Sequence, residues 1–155
     1  MTAVHKSFNL NTTGGFTLIE LLVVVIIIGI LASISYPIFR GSVIKTHRAD
    51  GKDAIMRAAA LQERWYTENN EYTGTIGNIG GPDSREEYYS ISVQRGDISG
   101  TSCDTSGTSL YNCYVLTAAP TSEGGQDQDA ECASFVLNSF GQKTVTGTLP
   151  AADCW

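Results

Sequence analysis

From Leu21 to Phe39 the chain runs nineteen residues without a formal charge, and Leu21 to Ala32 is unbroken apolar sequence rich in Val and Ile. Drawn as a helix at ~1.5 Å per residue, such a run covers roughly 29 Å, close to the ~30 Å hydrocarbon thickness of a bilayer. Gly29 and the Ser33, Ser35, Pro37 cluster weaken that helix. Pro37 removes one backbone hydrogen bond and crowds the carbonyl of Ser33, which predicts a kink or local melting. From Val43 the pattern turns amphipathic: Ile44, Gly51, Ile55, Ala58, Gln62 and Trp65 recur at helical spacing, with Ala54 and Leu61 widening the stripe. The charged residues mostly fall on the other faces. This half of the helix is expected to pack on a sheet and to finish near Asn69-Asn70, with Ala58-Ala59-Ala60 allowing close approach and Trp65 and Tyr66 as core aromatics.

Residues Asn69 to Glu87 carry Gly74, Gly77, Gly80-Gly81 and Pro82, and read as an extended, exposed connecting loop. Short alternating runs follow. Tyr88 to Gln94 places Tyr89, Ile91 and Val93 on one face; Cys113 to Ala118, Cys132 to Asn138 and Lys143 to Thr146 are further strand candidates. Asn138-Ser139-Phe140-Gly141 supplies a hairpin turn between the last two. One long helix followed by about four antiparallel strands predicts an α+β fold. Tyr88, Tyr89, Tyr111, Tyr114, Phe135, Phe140 and Trp155 lie on or beside these strands, so core packing is their default role.

Charge changes this picture by being uneven. The net charge is −6, yet Arg40 to Arg64 holds six basic residues against three acidic, and from Tyr66 onward there are three basic (Arg85, Arg95, Lys143) against twelve acidic. An acidic C-terminal region argues against a general nucleic-acid surface, although those three cations leave room for a local patch. Positive-inside bookkeeping would keep the basic stretch after the span in the cytoplasm. Four cysteines, Cys103, Cys113, Cys132 and Cys154, argue for an oxidising compartment instead, and they outweigh the charge count. No CxxC pair favours a zinc site.

No catalytic set emerges, and no cofactor is implied. His47 sits among Lys45, Arg48 and Asp50 and reads as a surface histidine; the serines lack a His partner or a nucleophile-elbow motif. Asp127, Asp129 and Glu131 alternate after Gly124-Gly125, which suggests an acidic solvated loop, with calcium binding as the alternative. Glu20 is the one anomaly of the apolar run. A carboxylate in lipid costs of order 2.5–3.5 kcal/mol on insertion scales, and so marks a functional position or else an acid that reaches the headgroups.

Gly15-Phe16-Thr17-Leu18-Ile19-Glu20, followed by a long apolar helix with one proline, resembles the processing site and anchor of a type IV prepilin. Gln62-Glu63-Arg64-Trp65-Tyr66, Asn69-Asn70-Glu71-Tyr72-Thr73, Cys113-Tyr114-Val115-Leu116, Cys132-Ala133-Ser134-Phe135-Val136-Leu137 and the terminal Cys154-Trp155 extend the resemblance to the PilE-like branch of the type IVa pilins. The leader departs from many of that family in having Gly14-Gly15 and a single Lys6. The resemblance implies a pilin fold, a long N-terminal helix on a roughly four-stranded antiparallel sheet. It divides the chain into a leader 1–15, a membrane-spanning or fibre-core half-helix 16–40, an amphipathic half-helix 41–70 and a β-rich head 71–155.

It also implies a history for the chain. A prepilin peptidase would cut between Gly15 and Phe16 and methylate the new amine. The product would be stored in inner-membrane lipid with its head in the periplasm. An inner-membrane assembly platform would then polymerise it with other pilin subunits into an extracellular fibre serving motility, adhesion or DNA uptake. Glu20 would pair with the amine of Phe16 on a neighbouring subunit, and Pro37 would let the anchor bend. Four cysteines allow three pairings. The favoured one is Cys103–Cys113, closing a short Gly/Ser/Thr loop, with Cys132–Cys154 closing the C-terminal loop that pilins call the D-region. A DNA-binding competence pilin and a type II secretion pseudopilin, the latter tied to calcium, are the alternative members.

Overall fold

A computed structural model describes residues 15–95 and 112–155, the side chains of residues 37 and 38 excepted. The chain divides into two units, Met1–Phe39 and Arg40–Trp155. Helix α1 (Leu18–Asn69) begins in the first and continues through the second. It runs through position 37 without a break, where local melting is expected. A proline deletes one hydrogen bond, and the turns on either side keep theirs. In the first unit the large apolar side chains from Phe16 to Tyr36, and that of Phe39, are exposed, Leu18 to 91%.

The second unit joins the rest of α1 to a four-stranded sheet: β1 (Tyr89–Arg95), β2 (Tyr114–Pro120), β3 (Phe135–Asn138) and β4 (Lys143–Val145). All neighbours are antiparallel and the order follows the chain, with β1 and β4 at the edges. Register explains the core. Ile91, Ala118 and Phe135 are cross-strand partners, and so are Val93, Leu116 and Leu137 one step along. Strand side chains alternate, so these rows share a face. That face meets Ala54, Ile55 and Ala58 of α1 in one apolar cluster. Helix and strand approach closely at Gly51, where a Cβ would lie 2.7 Å from the Tyr89 ring. The β3–β4 hairpin closes as expected, with the Gly141 amide donating to the Asn138 carbonyl and Gly141 at φ +77°.

Several expectations need correction. The segment Asn69–Glu87 is no exposed loop throughout: Tyr72, Thr73, Ile79 and Ser84 are buried, and Ile76–Ile79 forms a 3-10 turn. Gln62 holds it. Its Nε2 donates to the Thr73 carbonyl at 2.8 Å and its Oε1 accepts from the Thr73 amide at 3.1 Å, so one side chain replaces a rung of a ladder. Tyr72 thereby takes the core position expected of Trp65 and Tyr66. Trp65 is only half-buried and Tyr66 is exposed, its ring leaning on Tyr72 at 4.7 Å. Phe140, at the hairpin tip, is 70% exposed and outside the core. β3 starts at Phe135, later than Cys132, because Ala133 adopts φ +44° and interrupts the extended run. Tyr111 lies outside the described residues.

Candidate functional site

The first unit opens with the residues around the expected cut. Thr17 precedes the first helical residue, and its Oγ1 accepts from the Glu20 amide at 3.3 Å. Thr17-Leu18-Ile19-Glu20 is thus a T-x-x-E sequence in which the Thr17 hydroxyl caps the first turn, a local signal legible in the sequence. A carboxylate in the first turn also faces the positive end of the helix dipole. Phe16, Glu20, Leu21 and Val24 line a shallow apolar depression of about 210 Å³. Among the described residues Glu20 has no ion-pair partner.

In the second unit α1 presents Arg48 on the same stripe as Gly51, Ile55, Ala58 and Gln62. A guanidinium on a buried face needs a partner, and one comes from 81 residues away. Arg48 Nε and Nη2 donate to Asp129 Oδ2 and Oδ1 at 2.7 and 2.8 Å, and Nη2 also reaches Glu131 Oε2 at 2.8 Å. The Cys132 amide donates to Asp129 Oδ1, and Gln126 Nε2 donates to both Asp129 Oδ2 and the Tyr89 hydroxyl. The Asp129 hydrogen bond holds Arg48 charged well above its ordinary range. Burial is the strongest single influence on Asp129 and pushes it upward, but the Arg48 hydrogen bonds, the Cys132 and Glu131 backbone and the Arg48 charge together outweigh it and leave its pKa lowered. Hydrogen bonding to Arg48, with help from Lys45, lowers Glu131 too.

Asp129 is thus not solvated as the acidic-loop reading expects, whereas Asp127 is exposed and Glu131 partly exposed, and the pairing of Asp129 and Glu131 leaves little for calcium. Asp129 is 4% exposed and, with Glu131, already neutralised by Arg48 and Lys45. Among the described residues no cluster of His, Cys, Asp and Glu could hold a metal ion. His47 is not a free surface histidine either. Its ring stacks on Tyr88, centroids 3.7 Å apart and nearly parallel, and Nδ1 is buried without a hydrogen-bond partner.

Cys132 and Cys154 form a disulfide, Cα atoms 5.7 Å apart, across 22 residues of sequence. The loop it closes is pinned along its length. Thr148 and Leu149 amides donate to the Ala130 and Glu131 carbonyls, Lys52 Nζ reaches the Cys154 carbonyl, and Trp155 packs edge-on against Phe135. Gly147 passes so close to Glu131 that a Cβ would overlap its backbone. Cys113 is buried at the start of β2. Cys103, and with it the Cys103–Cys113 pairing, lies outside the described residues.

The structure does not gather the three C-terminal cations. Arg85 is exposed before β1, Arg95 ends β1 with its side chain over Gly74, and Lys143 opens β4 with Nζ 4.8 Å above the Trp155 ring. β1 and β4 are opposite edges of the sheet, about 14 Å apart at ~4.8 Å per strand spacing.

Two family profiles meet on this chain. The prokaryotic N-terminal methylation motif matches residues 10–36, and the profile described as "Type IV minor pilin ComP, DNA uptake sequence receptor" matches 37–136. The type IV major pilin protein PilA of Myxococcus xanthus is 35% identical over 85 residues, 54% of this chain and 39% of that protein, so the match spans well under half of the relative. A type IV pilin from Shewanella oneidensis covers 72% of this chain and 97% of its own at 22% identity and a TM-score of 0.46. The minor pilin PilV of Neisseria meningitidis covers 69% and 90% at 15% identity and a TM-score of 0.48. Helix, sheet and methylation motif together define a type IV pilin. Within that class the chain belongs to the ComP minor pilin family.

Proposed function

We propose that this pilin is a structural subunit, not a catalyst, of a type IV pilus. A prepilin peptidase removes residues 1–15, cutting between Gly15 and Phe16, and methylates the new amine. Residues 16–40 then lodge in the inner membrane, the amphipathic 41–70 and the region 71–155 face the periplasm, and the assembly platform transfers the chain to the fibre. The observation that carries this reading is the sleeve of exposed Leu, Val and Ile from Leu18 to Ile34. Apolar surface on that scale calls for lipid or a fibre core. The two environments are comparably apolar, so exchange between them need not cost the whole burial energy. Glu20, without an ion-pair partner among the described residues, supplies register by pairing with the Phe16 amine of a neighbour, an attraction strong in low dielectric. The continuous helix through Pro37 leaves bending there to the assembly step.

Glu20→Ala tests this. Processing should be intact while the variant is lost from sheared fibres in an immunoblot, and normal incorporation would count against the pairing.

A second reading, capture of DNA by the fibre, is favoured by the description of the matching family. With Arg85, Arg95 and Lys143 on separate elements, few phosphates can be neutralised at once. Any binding by the mature chain should therefore show a log K against log salt slope of about −3 or shallower. A gel shift with salt titration reads it directly, and absence of binding at low salt would remove this reading.

A further inference from the structure

We propose that Tyr66 and Tyr72 form an oxidative modification site, at which hydrogen peroxide acting through a haem peroxidase couples the two rings into an intrachain dityrosine. The site lies wholly in the second unit and does not depend on the pilus reading.

Three tyrosine rings form a path from the surface into the core. Tyr66, in the last turn of α1, is 36% exposed. Its ring lies 4.7 Å from that of Tyr72, at an interplanar angle of 31°. Tyr72 is buried, and its ring meets that of buried Tyr114, again at 4.7 Å but edge-on at 74°. The segment carrying Tyr72 is fixed beside the helix by the two Gln62–Thr73 hydrogen bonds, so the Tyr66–Tyr72 contact is built into the fold. Rings at a shallow tilt can bring their ortho carbons together, whereas the edge-on pair sets a ring edge against a ring face.

The hydroxyls supply the chemistry. The Tyr72 O–H donates to the Glu63 carboxylate, 3.1 Å from Oε1 and 3.2 Å from Oε2, and the Tyr114 O–H donates to Oε1 at 3.3 Å. Among the described residues these are the tyrosine hydroxyls that donate to a carboxylate. The Tyr89 hydroxyl accepts from Gln126 instead, and the Tyr88 ring stacks on His47. In the resting chain the proton stays on the phenol, because burial and the Glu63 charge hold Tyr72 up at about 12. Loss of an electron makes the phenol a strong acid, and a base within hydrogen-bond reach takes its proton. The oxidant draws an electron from exposed Tyr66, Tyr72 refills it across the ring contact, and a second oxidation of Tyr66 completes the radical pair. Each phenol has then given up one electron and one proton, Tyr72 to Glu63 and Tyr66 to water. The rings join through carbons ortho to oxygen, and the hydrogens displaced there return to the oxygens. Peroxide takes up the two electrons and two protons and leaves as two waters. The new bond staples the end of α1 to the segment that follows it.

The test treats the full chain in detergent micelles with a haem peroxidase and hydrogen peroxide, then digests it with a glutamate-specific protease. Cleavage after Glu68 and Glu71 separates the two tyrosines. An intrachain bond therefore appears in the mass spectrum as two joined peptides, lighter by two hydrogens than their sum. Tyr66→Phe, at an exposed position, should abolish this product, and Tyr88→Phe should leave it. Glu63→Gln keeps a hydrogen-bond acceptor but removes the base, and should slow formation by about tenfold or more with the circular dichroism unchanged. Absence of the product from the parent chain, coupling of Tyr66 to other chains in its place, or formation at the parent rate in Glu63→Gln would overturn the proposal.

Discussion

At Asp129 burial and charge compete most directly. An ionised carboxylate at 4% exposure is tolerable because Arg48 gives it two hydrogen bonds, the Cys132 amide a third and Gln126 Nε2 a fourth. Removing one member of such a pair strands the other, so Asp129→Asn should cost about 3–5 kcal/mol in urea unfolding. The pH dependence has a definite sign. The folded pKa of Asp129 lies below its ordinary value of 3.8, so its stabilisation is fully present above that value and is lost as pH falls through the folded pKa. The gap in melting temperature between the parent and Asp129→Asn should hold constant from about pH 5 to 8 and narrow below about pH 4; a gap that closes near neutrality would contradict the assignment. At the alkaline end burial raises Tyr89 to about 12 and, with the nearby Glu63 charge adding to burial, Tyr72 to about 12 as well. Their contribution is complete below the ordinary tyrosine value and fades as pH climbs through the folded one. Gly51 is a packing case. A methyl there meets the Tyr89 ring, so Gly51→Ala should destabilise by about 1–2 kcal/mol even though alanine favours helix.

Among the elements, what could be read in the sequence was what repeats locally. The stripe Gly51, Ala54, Ile55, Ala58, Gln62 announces its buried face by spacing alone, and the alternation of Tyr89, Ile91 and Val93 does the same for β1. Asn138 to Gly141 carries its turn chemistry in four consecutive residues. What could not be read depends on partners distant in the chain. Arg48 falls at a stripe position, but its acceptors are 81 and 83 residues away, and nothing in the helix identifies them. Asp129 and Glu131 looked solvated for the same reason. His47 found Tyr88 41 residues on, and the Gln62–Thr73 bracket folds a glycine-rich segment that local composition describes as open. The Thr17 cap, by contrast, is written in four consecutive residues. The disulfide-closed C-terminal loop yields a prediction of its own. It joins Cys132 to Cys154 across 22 residues, so replacing both cysteines with serine should lower unfolding stability by roughly 3 kcal/mol. An unchanged urea midpoint would mean that the backbone bonds at Thr148 and Leu149 hold the loop unaided.

The whole molecule has an apolar first unit carrying the acid Glu20 and a second unit held by an ion-pair network and a disulfide. Since Arg48 and Lys45 already neutralise Asp129 and Glu131, chelation of divalent cations should leave the melting temperature unchanged, and a fall of several degrees would restore the calcium alternative. The proposed function turns on what becomes of the first unit, which we propose is cut, methylated and carried from lipid into a fibre. Intact-mass measurement of the chain recovered from sheared fibres tests it most directly. The account predicts a product beginning at Phe16 with one added methyl group and Glu20 unmodified. A chain still beginning at Met1, or one found only in membranes and never in fibres, would contradict it.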